Sequence, residues 1–286
     1  MSDLQIDDPL FDYKAYRFGR TRQVFRGPQP DLRGAYLSFL GASHTFGRYT
    51  DLPFPTLIGE ELGMVSLNLG TDGAGPGFFL GDPEVRQAAS ESSVCVVQVM
   101  SASSISNRMF SVRPRRNVRL HDVSELLRGI FPEVDFDRFA FVKPMLKQLH
   151  GIDPDRFKLV VNEMKNAWIG RTQTLLSSIS APKILFWFSQ RAPNESSDDQ
   201  DDRSGSGYPA FVDEAMIDTV KTSADSYVPC ITSVGLPQDL TVDGRTVLYQ
   251  PSGKPIDVNR EFPSPEMHAA AAQSLLPAIR QLLGQI

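Results

Sequence analysis

The sequence predicts an α/β fold in which a doubly wound parallel sheet carries helices on both faces. Five short apolar runs are each followed by helix-forming sequence, the alternation typical of parallel sheets. The first two runs end in glycine-containing turns, and the carboxyl edge of such a sheet is where ligands bind. A chain of 286 residues that is 41% hydrophobic can also build one large core. The predicted strands are AYLSFLG, VSLNLG, SVCVVQVM, PKILFWFSQ and SYVPCITSVG.

The segments between these strands predict helices. FPTLIGEELG has apolar residues at helical spacing and a glycine at its end, and DPEVRQAASE begins with an aspartate cap followed by proline. The longest helix is predicted from Asp155 to Ile179, where apolar residues recur at intervals of three and four. The last helix is expected to start at Ser264-Pro265, with a kink at Pro277.

The same pattern predicts one domain with additions. Residues 1–33 are polar with scattered aromatic residues, and we expect an arm that packs on the domain formed by residues 34–286. Residues 101–180 are expected to be a helical insertion after the third strand. The acidic, small-residue segment 194–207 is expected to be a mobile loop.

Composition excludes several functional classes. A formal net charge of −5 argues against a general nucleic-acid-binding protein. Cys95 and Cys230 lie in apolar runs, which favours a reducing compartment. No signal-like leader or membrane-length apolar run is visible, so a soluble, cytoplasmic protein is expected. His121 and His150 have no ligand-spaced partners, and neither a metal nor a cofactor is expected.

Two sequence blocks carry a family resemblance. Residues 41–47 read GASHTFG, and EELG at residues 60–63 precedes NLGTDG at residues 68–73. These blocks resemble the G-D-S-x-T-x-G and N-x-G-x-x-G motifs of the SGNH, or GDSL-type, hydrolase superfamily, with Ala42 in place of Asp. The resemblance implies a flavodoxin-like three-layer α/β/α sandwich. It also implies that Ser43 is the nucleophile and that the amides of Ser43 and Gly73 form an oxyanion hole.

The chain departs from that family at two later blocks. No Asn follows strand three where G-x-N-D would place one, and Asn107 could serve the oxyanion hole only if the turn folds back. The D-x-x-H-P block corresponds to NREFP, so Asn259 and Phe262 stand at the positions of the acid and the base. A serine hydroxyl needs a neighbouring base to become a good nucleophile. The candidate bases are His268, His44, Glu261 and Glu266, and a chain without a triad is the remaining alternative.

A run of arginines follows strand three. It contains Arg108, Arg113, Arg115, Arg116 and Arg119. One interpretation is a solvated loop, and the other is a site for phosphate, sulfate or carboxylate, which guanidinium groups bind in bidentate geometry.

Two functions follow from these features. The first is a diverged SGNH-type enzyme that uses Ser43 on an ester or other acyl or anionic group of a carbohydrate or lipid. The second is a non-hydrolytic protein of the same fold, either a transferase that holds a sulfated or phosphorylated donor with Arg108, Arg113, Arg115 and Arg116, or a binding protein. The expected partner is a small-molecule, glycan or lipid substrate that is anionic. Neither nucleic acid nor a membrane span is expected, and the sequence leaves homo-oligomer formation open.

Overall fold

A computed structural model describes residues 10–20, 23–114, 116–195, 207–250 and 252–285. Its centre is a five-stranded sheet in which every neighbouring pair is parallel. Its strands are β1 (Tyr36–Gly41), β2 (Val65–Gly70), β3 (Val94–Gln98), β4 (Lys183–Ser189) and β5 (Ser226–Ile231). The strand order is β2-β1-β3-β4-β5, which is the flavodoxin-like order. The predicted fold class and all five predicted strands are confirmed.

The helices among the described residues cover both faces of the sheet. They are α1 (Ser43–Phe46), α2 (Phe54–Leu62), α3 (Pro76–Leu80), α4 (Pro83–Glu91), α5 (Glu125–Ile130), α6 (Val142–Ile152), α7 (Pro154–Ser177), α8 (Glu214–Val220) and α9 (Pro265–Leu282). Short 3-10 turns occupy Phe136–Arg138 and Lys221–Ser223. Two-residue strands pair as Tyr16–Arg17 with Val24–Phe25, and as Gln238–Asp239 with Val258–Asn259.

Side chains that alternate along each strand between the two faces of the sheet divide the core into two layers. Leu37 and Phe39 of β1 face α2 and α9, where Phe54 and Leu275 complete one apolar cluster. Leu40, the next residue in β1, belongs to the larger cluster formed with α3 to α8. Successive side chains of a strand point to opposite faces, so this division is what a three-layer α/β/α sandwich requires.

The segment after β3 corrects the prediction of a purely helical insertion. Phe110–Arg113 pairs antiparallel with Arg116–Val123, and we call this element the 110–123 hairpin. Its apolar residues Phe110, Val112 and Leu120 are buried, whereas Arg113 is exposed. This alternation is a strand pattern, which the dense run of arginines concealed. The predicted long helix is confirmed as α7, with its ends within two residues of those expected.

Arg26, in the segment before β1, is buried and contacts the main chain that follows Ser43. The guanidinium group of Arg26 donates hydrogen bonds to the carbonyls of Gly47, Thr50 and Asp51 at 2.6–2.8 Å and reaches that of Phe46 at 3.4 Å. It also lies 5.0 Å from the ring centre of Tyr13. Burial lowers the pKa of Arg26 to about 10. Arg26 therefore satisfies the carbonyl end of α1, the helix that begins at Ser43.

We expect Arg26→Met to destabilise the fold by about 2–4 kcal/mol, because it keeps the side-chain stem and leaves several buried carbonyls without a donor. The measurement is the free energy of unfolding in urea. Arg33→Met, at an exposed arginine paired with Asp31, is the matched control and should change it by less than about 0.5 kcal/mol. Equal effects of the two substitutions would contradict the role of Arg26.

Candidate active site

The candidate site forms where β1 and β2 end beside α1. Ser43 is the first residue of α1 and directly follows Ala42, the N-cap residue. A Cβ atom at Gly70 would overlap the main chain of Thr45 and Phe46, so glycine there lets α1 approach β2 closely. Asn68 then holds the helix, since its Nδ2 donates to the Thr45 carbonyl at 2.9 Å and its Oδ1 accepts from the Gly70 amide at 2.9 Å.

Gln98, at the end of β3, fixes the other side of the same turn. Its Oε1 accepts from the Ala42 amide at 3.1 Å and from the Thr45 hydroxyl at 2.6 Å. Its Nε2 donates to the Tyr208 hydroxyl at 3.0 Å. Gln98 is 1% exposed, so these bonds are made away from water. The turn that presents Ser43 is therefore held by side chains from two neighbouring strands.

The Ser43 hydroxyl has a carboxylate as its partner. Its Oγ donates a short hydrogen bond to Oδ1 of Asp72, in the turn after β2. Asp72 is an exposed residue, and it occupies a variable position of the N-x-G-x-x-G block. Sequence reasoning missed it for that reason. The signal that could have found it is an acidic residue in the turn of the strand adjacent to the one that ends at Ser43.

Ser43 and Asp72 open into a cavity of about 480 Å³, which we call the Ser43 cavity. Its polar and glycine lining residues include Ser43, His44, Asp72, Gly73, Ser101, Ser103, Ser104 and Tyr208, and the other lining residues are Ala42, Ala74, Val118, Phe141, Val142, Lys143, Pro144, Leu146, Gly207, Ala210, Phe211, Glu261 and Phe262. The 110–123 hairpin contributes Val118 to this lining, and α6 contributes Val142, Lys143, Pro144 and Leu146.

Gly73 lines this cavity and follows Asp72 in the turn after β2. Gly73 has a φ of +65°, and a Cβ there would meet the side chain of Val118. The amide of Ser43 is at the start of α1, where a helix has no internal acceptor for its N–H. Both residues thus line the same cavity.

His44 lines the Ser43 cavity, and its ring is hydrogen-bonded to the main chain and packed against Tyr208. Its Nδ1 donates to the Phe188 carbonyl at 3.3 Å, and its ring centre lies 4.0 Å from that of Tyr208. Burial lowers the pKa of His44 to about 4, partly offset by hydrogen bonding to Phe188 and to the main chain of Glu261. The imidazole is neutral at pH 7.

His268 is not brought to Ser43, which corrects its assignment as the base. It is fully buried in the first turn of α9, where Nδ1 accepts the amide hydrogen of Phe54 at 3.2 Å. Its Nε2 is buried and has no hydrogen-bond partner among the described residues. Burial, together with electrostatic repulsion between a protonated His268 and its neighbours His44 and Arg26, lowers its pKa to about 3. His268 packs against Phe54 where α9 meets α2, and it does not contact the Ser43 hydroxyl.

Asn259 and Phe262 have structural roles at the positions of the family's acid and base. Asn259 Nδ2 donates to the Phe262 carbonyl and to Gln238, each at 2.9 Å. Asn259 Oδ1 accepts from the amides of Glu261 and Phe262 at 3.2 and 2.9 Å. The resulting turn places Glu261 and Phe262 at the rim of the Ser43 cavity, whereas Glu266 is not among the lining residues.

Asn107 does not reach the oxyanion position, which corrects a second assignment. Its Oδ1 accepts from the amides of Met109 and Phe110 at 2.8 and 3.1 Å, and its Nδ2 donates to Ile105 at 3.2 Å. All of these partners lie within three residues of Asn107, because an Asn side chain readily bonds to the main-chain amide two residues ahead.

The arginines do not converge on Ser43. Arg108 pairs with Glu163, and its Nε lies 2.9 Å from a carboxylate oxygen. Arg113 and Arg116 line a different cavity, and Arg119 lies over the ring of Phe141 at 4.9 Å. Arg115 lies outside the described residues. Arg108, Arg113 and Arg116 are therefore not among the residues that line the Ser43 cavity.

Among the residues that the structure describes, no three His, Cys, Asp or Glu side chains are placed to hold a metal ion. No helix in that part of the chain has both the length and the apolar character needed to cross a bilayer. The predicted loop at residues 194–207 lies outside the described residues except at its ends.

A family model with the description "Domain of unknown function (DUF6473)" matches residues 1–283. The chain belongs to this family. No curated protein matches the sequence.

Solved structures resemble the chain at low identity. A carbohydrate esterase family 2 enzyme of Corynascus thermopiles (Myceliophthora fergusii) is 13% identical, with a TM-score of 0.41 over 90% of this chain and 69% of that one. An extracellular lipase of Streptomyces rimosus is 9% identical, with a TM-score of 0.45 over 87% and 100%. A catalytic mutant of an acetylxylan esterase of Geobacillus stearothermophilus is 10% identical, with a TM-score of 0.42 over 86% and 94%. No activity is transferred from proteins at these scores.

The buried histidines predict acid sensitivity. Their folded pKa values lie below the unfolded value of about 6.5, so the folded state binds fewer protons and its stability falls as the pH drops below about 6.5. Between pH 7 and 5 each histidine should cost about 2 kcal/mol, and the loss continues toward pH 4 for His44 and pH 3 for His268. Urea unfolding as a function of pH measures this loss.

His268→Gln should remove about half of that loss, because glutamine can still accept the Phe54 amide hydrogen and does not titrate. The exposed His150 gives the matched control, and His150→Gln should lose as much stability as the unsubstituted protein. A pH dependence unchanged by His268→Gln would contradict a neutral, buried His268.

Proposed function

We propose that this protein is a diverged SGNH-type esterase in which Ser43 is the nucleophile and Asp72 is its base. The observation that carries the proposal is the hydrogen bond from the Ser43 hydroxyl to the Asp72 carboxylate. It lies in a cavity at the carboxyl edge of the sheet, where open α/β folds bind ligands. The Gly41–Gly47 and Asn68–Gly73 blocks, which resemble that superfamily, supply both residues.

The proposed reaction is acyl transfer in two steps. The Ser43 Oγ attacks the carbonyl carbon of the ester while its proton passes to the Asp72 carboxylate. The carbonyl oxygen becomes an oxyanion, which the amides of Ser43 and Gly73 stabilise. The carbon–oxygen bond to the alcohol then breaks, and the alcohol leaves with the proton held by Asp72. In the second step water attacks the acyl carbon on Ser43 while one of its protons passes to Asp72. The bond from that carbon to Ser43 Oγ then breaks, Ser43 Oγ takes the proton from Asp72, and the acid is released.

The hydrogen-bond geometry favours the Asp72 carboxylate over either histidine as the base. His44 and His268 are neutral, and their ring nitrogens face the main chain or buried space. The Asp72 carboxylate is in direct contact with the hydroxyl. A carboxylate is a weaker base than imidazole at neutral pH, so turnover should be slower than in a complete Ser-His-Asp triad.

The cavity lining supports an uncharged, partly apolar substrate. Val118, Phe141, Leu146 and Phe211 form apolar surface, which suits an acyl chain or a sugar face. Among the described residues of the lining, Lys143 is the lone Lys or Arg, whereas Asp72 and Glu261 are acidic. This balance does not favour the anionic substrate suggested by the sequence. An ester of a carbohydrate or a lipid is the substrate class we propose.

The second candidate is a binding protein without hydrolysis. It is favoured by the main-chain hydrogen bonds of His44 and His268, because these histidines do not contact Ser43 and leave it without the usual base. The transferase version of this alternative loses support, because none of Arg108, Arg113 and Arg116 lines the Ser43 cavity.

The test combines labelling and kinetics. A fluorophosphonate probe should label the protein and lose all labelling in Ser43→Ala. Asp72→Asn should lower kcat for a p-nitrophenyl ester about 10²-fold or more with little change in KM, because it keeps the shape of the side chain and removes the base. Asp137→Asn, at an exposed aspartate that does not line the cavity, is the matched control and should keep full activity.

Other outcomes discriminate between the candidates. If a correctly folded protein is neither labelled nor active, the esterase proposal fails and the binding protein is favoured. If Asp72→Asn keeps full activity while Glu261→Gln loses it, Ser43 remains the nucleophile but the assignment of the base is wrong.

A further inference from the structure

Two exposed apolar side chains, Val118 and Phe141, line the Ser43 cavity from elements that are apart in sequence. Val118 belongs to the 110–123 hairpin and is 43% exposed, and Phe141 is the N-cap residue of α6 and is 41% exposed. Exposed apolar side chains that are scattered singly are ordinary in proteins. Two that line one cavity together form a surface that suits an apolar group of a ligand.

Main-chain contacts hold these two side chains at the same side of the cavity. The Leu120 amide donates to the Ala140 carbonyl at 3.1 Å, and Arg119 and Phe141 are antiparallel bridge partners. The guanidinium group of Arg119 also lies over the Phe141 ring. Val118 directly precedes Arg119 in the strand, so the fold itself brings Val118 and Phe141 together.

Val118 also contacts the residue proposed as an oxyanion donor. A Cβ built at Gly73 would overlap Cγ1 of Val118, so the Val118 side chain covers the main chain of Gly73. An ester whose carbonyl oxygen accepts from the Gly73 amide would therefore be held next to Val118.

The proposed reaction decides which part of the ester this surface receives. The alcohol oxygen must face Asp72, which takes up and returns the proton, and Asp72 is exposed, so the alcohol leaves toward solvent. The acyl group stays on Ser43 during the reaction. It is then the substituent that packs on Val118 and Phe141.

We propose that Val118 and Phe141 form a subsite for the acyl chain of the ester and favour chains of several carbons over acetyl. This inference rests on the proposed esterase function and deepens it. Neither side chain offers a hydrogen bond, so a sugar hydroxyl placed there would lose its water partners without replacement. An alkyl chain gains from leaving water and has no polar group to satisfy. The two residues determine specificity and take no part in proton transfer.

The test compares p-nitrophenyl acetate with p-nitrophenyl hexanoate, which share a leaving group and differ only in the length of the acyl chain. The unsubstituted protein should have a kcat/KM at least about tenfold higher for the hexanoate. Val118→Thr combined with Phe141→Gln should reduce this preference to less than about twofold. Threonine keeps the shape of valine and both positions are exposed, so the double variant should fold, which its urea unfolding transition checks.

Val242→Thr combined with Leu126→Gln is the matched control. These apolar side chains are also exposed and do not line the Ser43 cavity, so the control should keep the preference for the hexanoate. Methyl acetate and hexyl acetate test the other half of the ester. If lengthening the alcohol raises kcat/KM and lengthening the acyl chain does not, the assignment of the subsite to the acyl group is wrong.

A binding measurement separates this inference from the esterase proposal. N-methylhexanamide and N-methylacetamide are uncharged amides that carry the same two acyl chains, and their binding to Ser43→Ala can be followed by NMR titration. The hexanamide should bind at least about tenfold more tightly, and adding Val118→Thr and Phe141→Gln should remove the difference.

The outcomes of the two measurements are distinct. If the protein hydrolyses no ester but binds the two amides as expected, the esterase proposal fails and the acyl-chain subsite stands. If it hydrolyses both esters equally well, or if the double variant keeps the preference, the subsite is overturned and the esterase proposal stands. Equal binding of the two amides overturns the subsite whether or not esters are hydrolysed.

Discussion

The close approach of α1 to the carboxyl ends of β1 and β2 is the constraint on which the candidate site depends. Gly41 and Gly70 permit it, because a Cβ at either position would overlap atoms of α1 or of Gln98. Once the helix is this close, its polar groups must find partners without water. Gln98 and Asn68 supply them beside the strands, and Arg26 supplies them at the carbonyl end.

This arrangement explains why Ser43 faces a carboxylate. The turn after β2 begins beside α1, since the Thr71 amide donates to the Gly41 carbonyl at 3.1 Å. Asp72 is the next residue, and it meets the hydroxyl at the mouth of the cavity. His44 and His268 form main-chain hydrogen bonds elsewhere in the core instead, and burial keeps both of them neutral. The carboxyl group of Asp72, and not an imidazole, is therefore the side-chain partner of Ser43.

The sequence predicts the sheet well because buried parallel strands are long apolar runs between turn signals. The two glycine-containing blocks end neighbouring strands, so Ser43 and Gly73 line the same cavity. Asp72 is missed because it stands at a variable motif position, and Gln98 because a polar residue at a strand end has no distinctive pattern. His268 is misassigned because sequence does not reveal which way a helix side chain points once α9 packs on α2.

Charge patterns are the least predictable feature of this chain. A run of arginines can be a solvated face or a binding site, and here the fold distributes its members among an ion pair, a ring contact and a cavity. Arg26 shows the opposite case, in which one arginine in a polar arm becomes a buried structural group. Which of these occurs depends on contacts between segments far apart in sequence.

The most direct measurement of the central claim is a crystal structure of the protein after reaction with a fluorophosphonate. The account predicts a covalent bond from phosphorus to Ser43 Oγ, with the phosphoryl oxygen at the amides of Ser43 and Gly73 and Asp72 beside the modified serine. A probe attached to another residue, or an adduct on Ser43 whose phosphoryl oxygen points away from both amides, would contradict it.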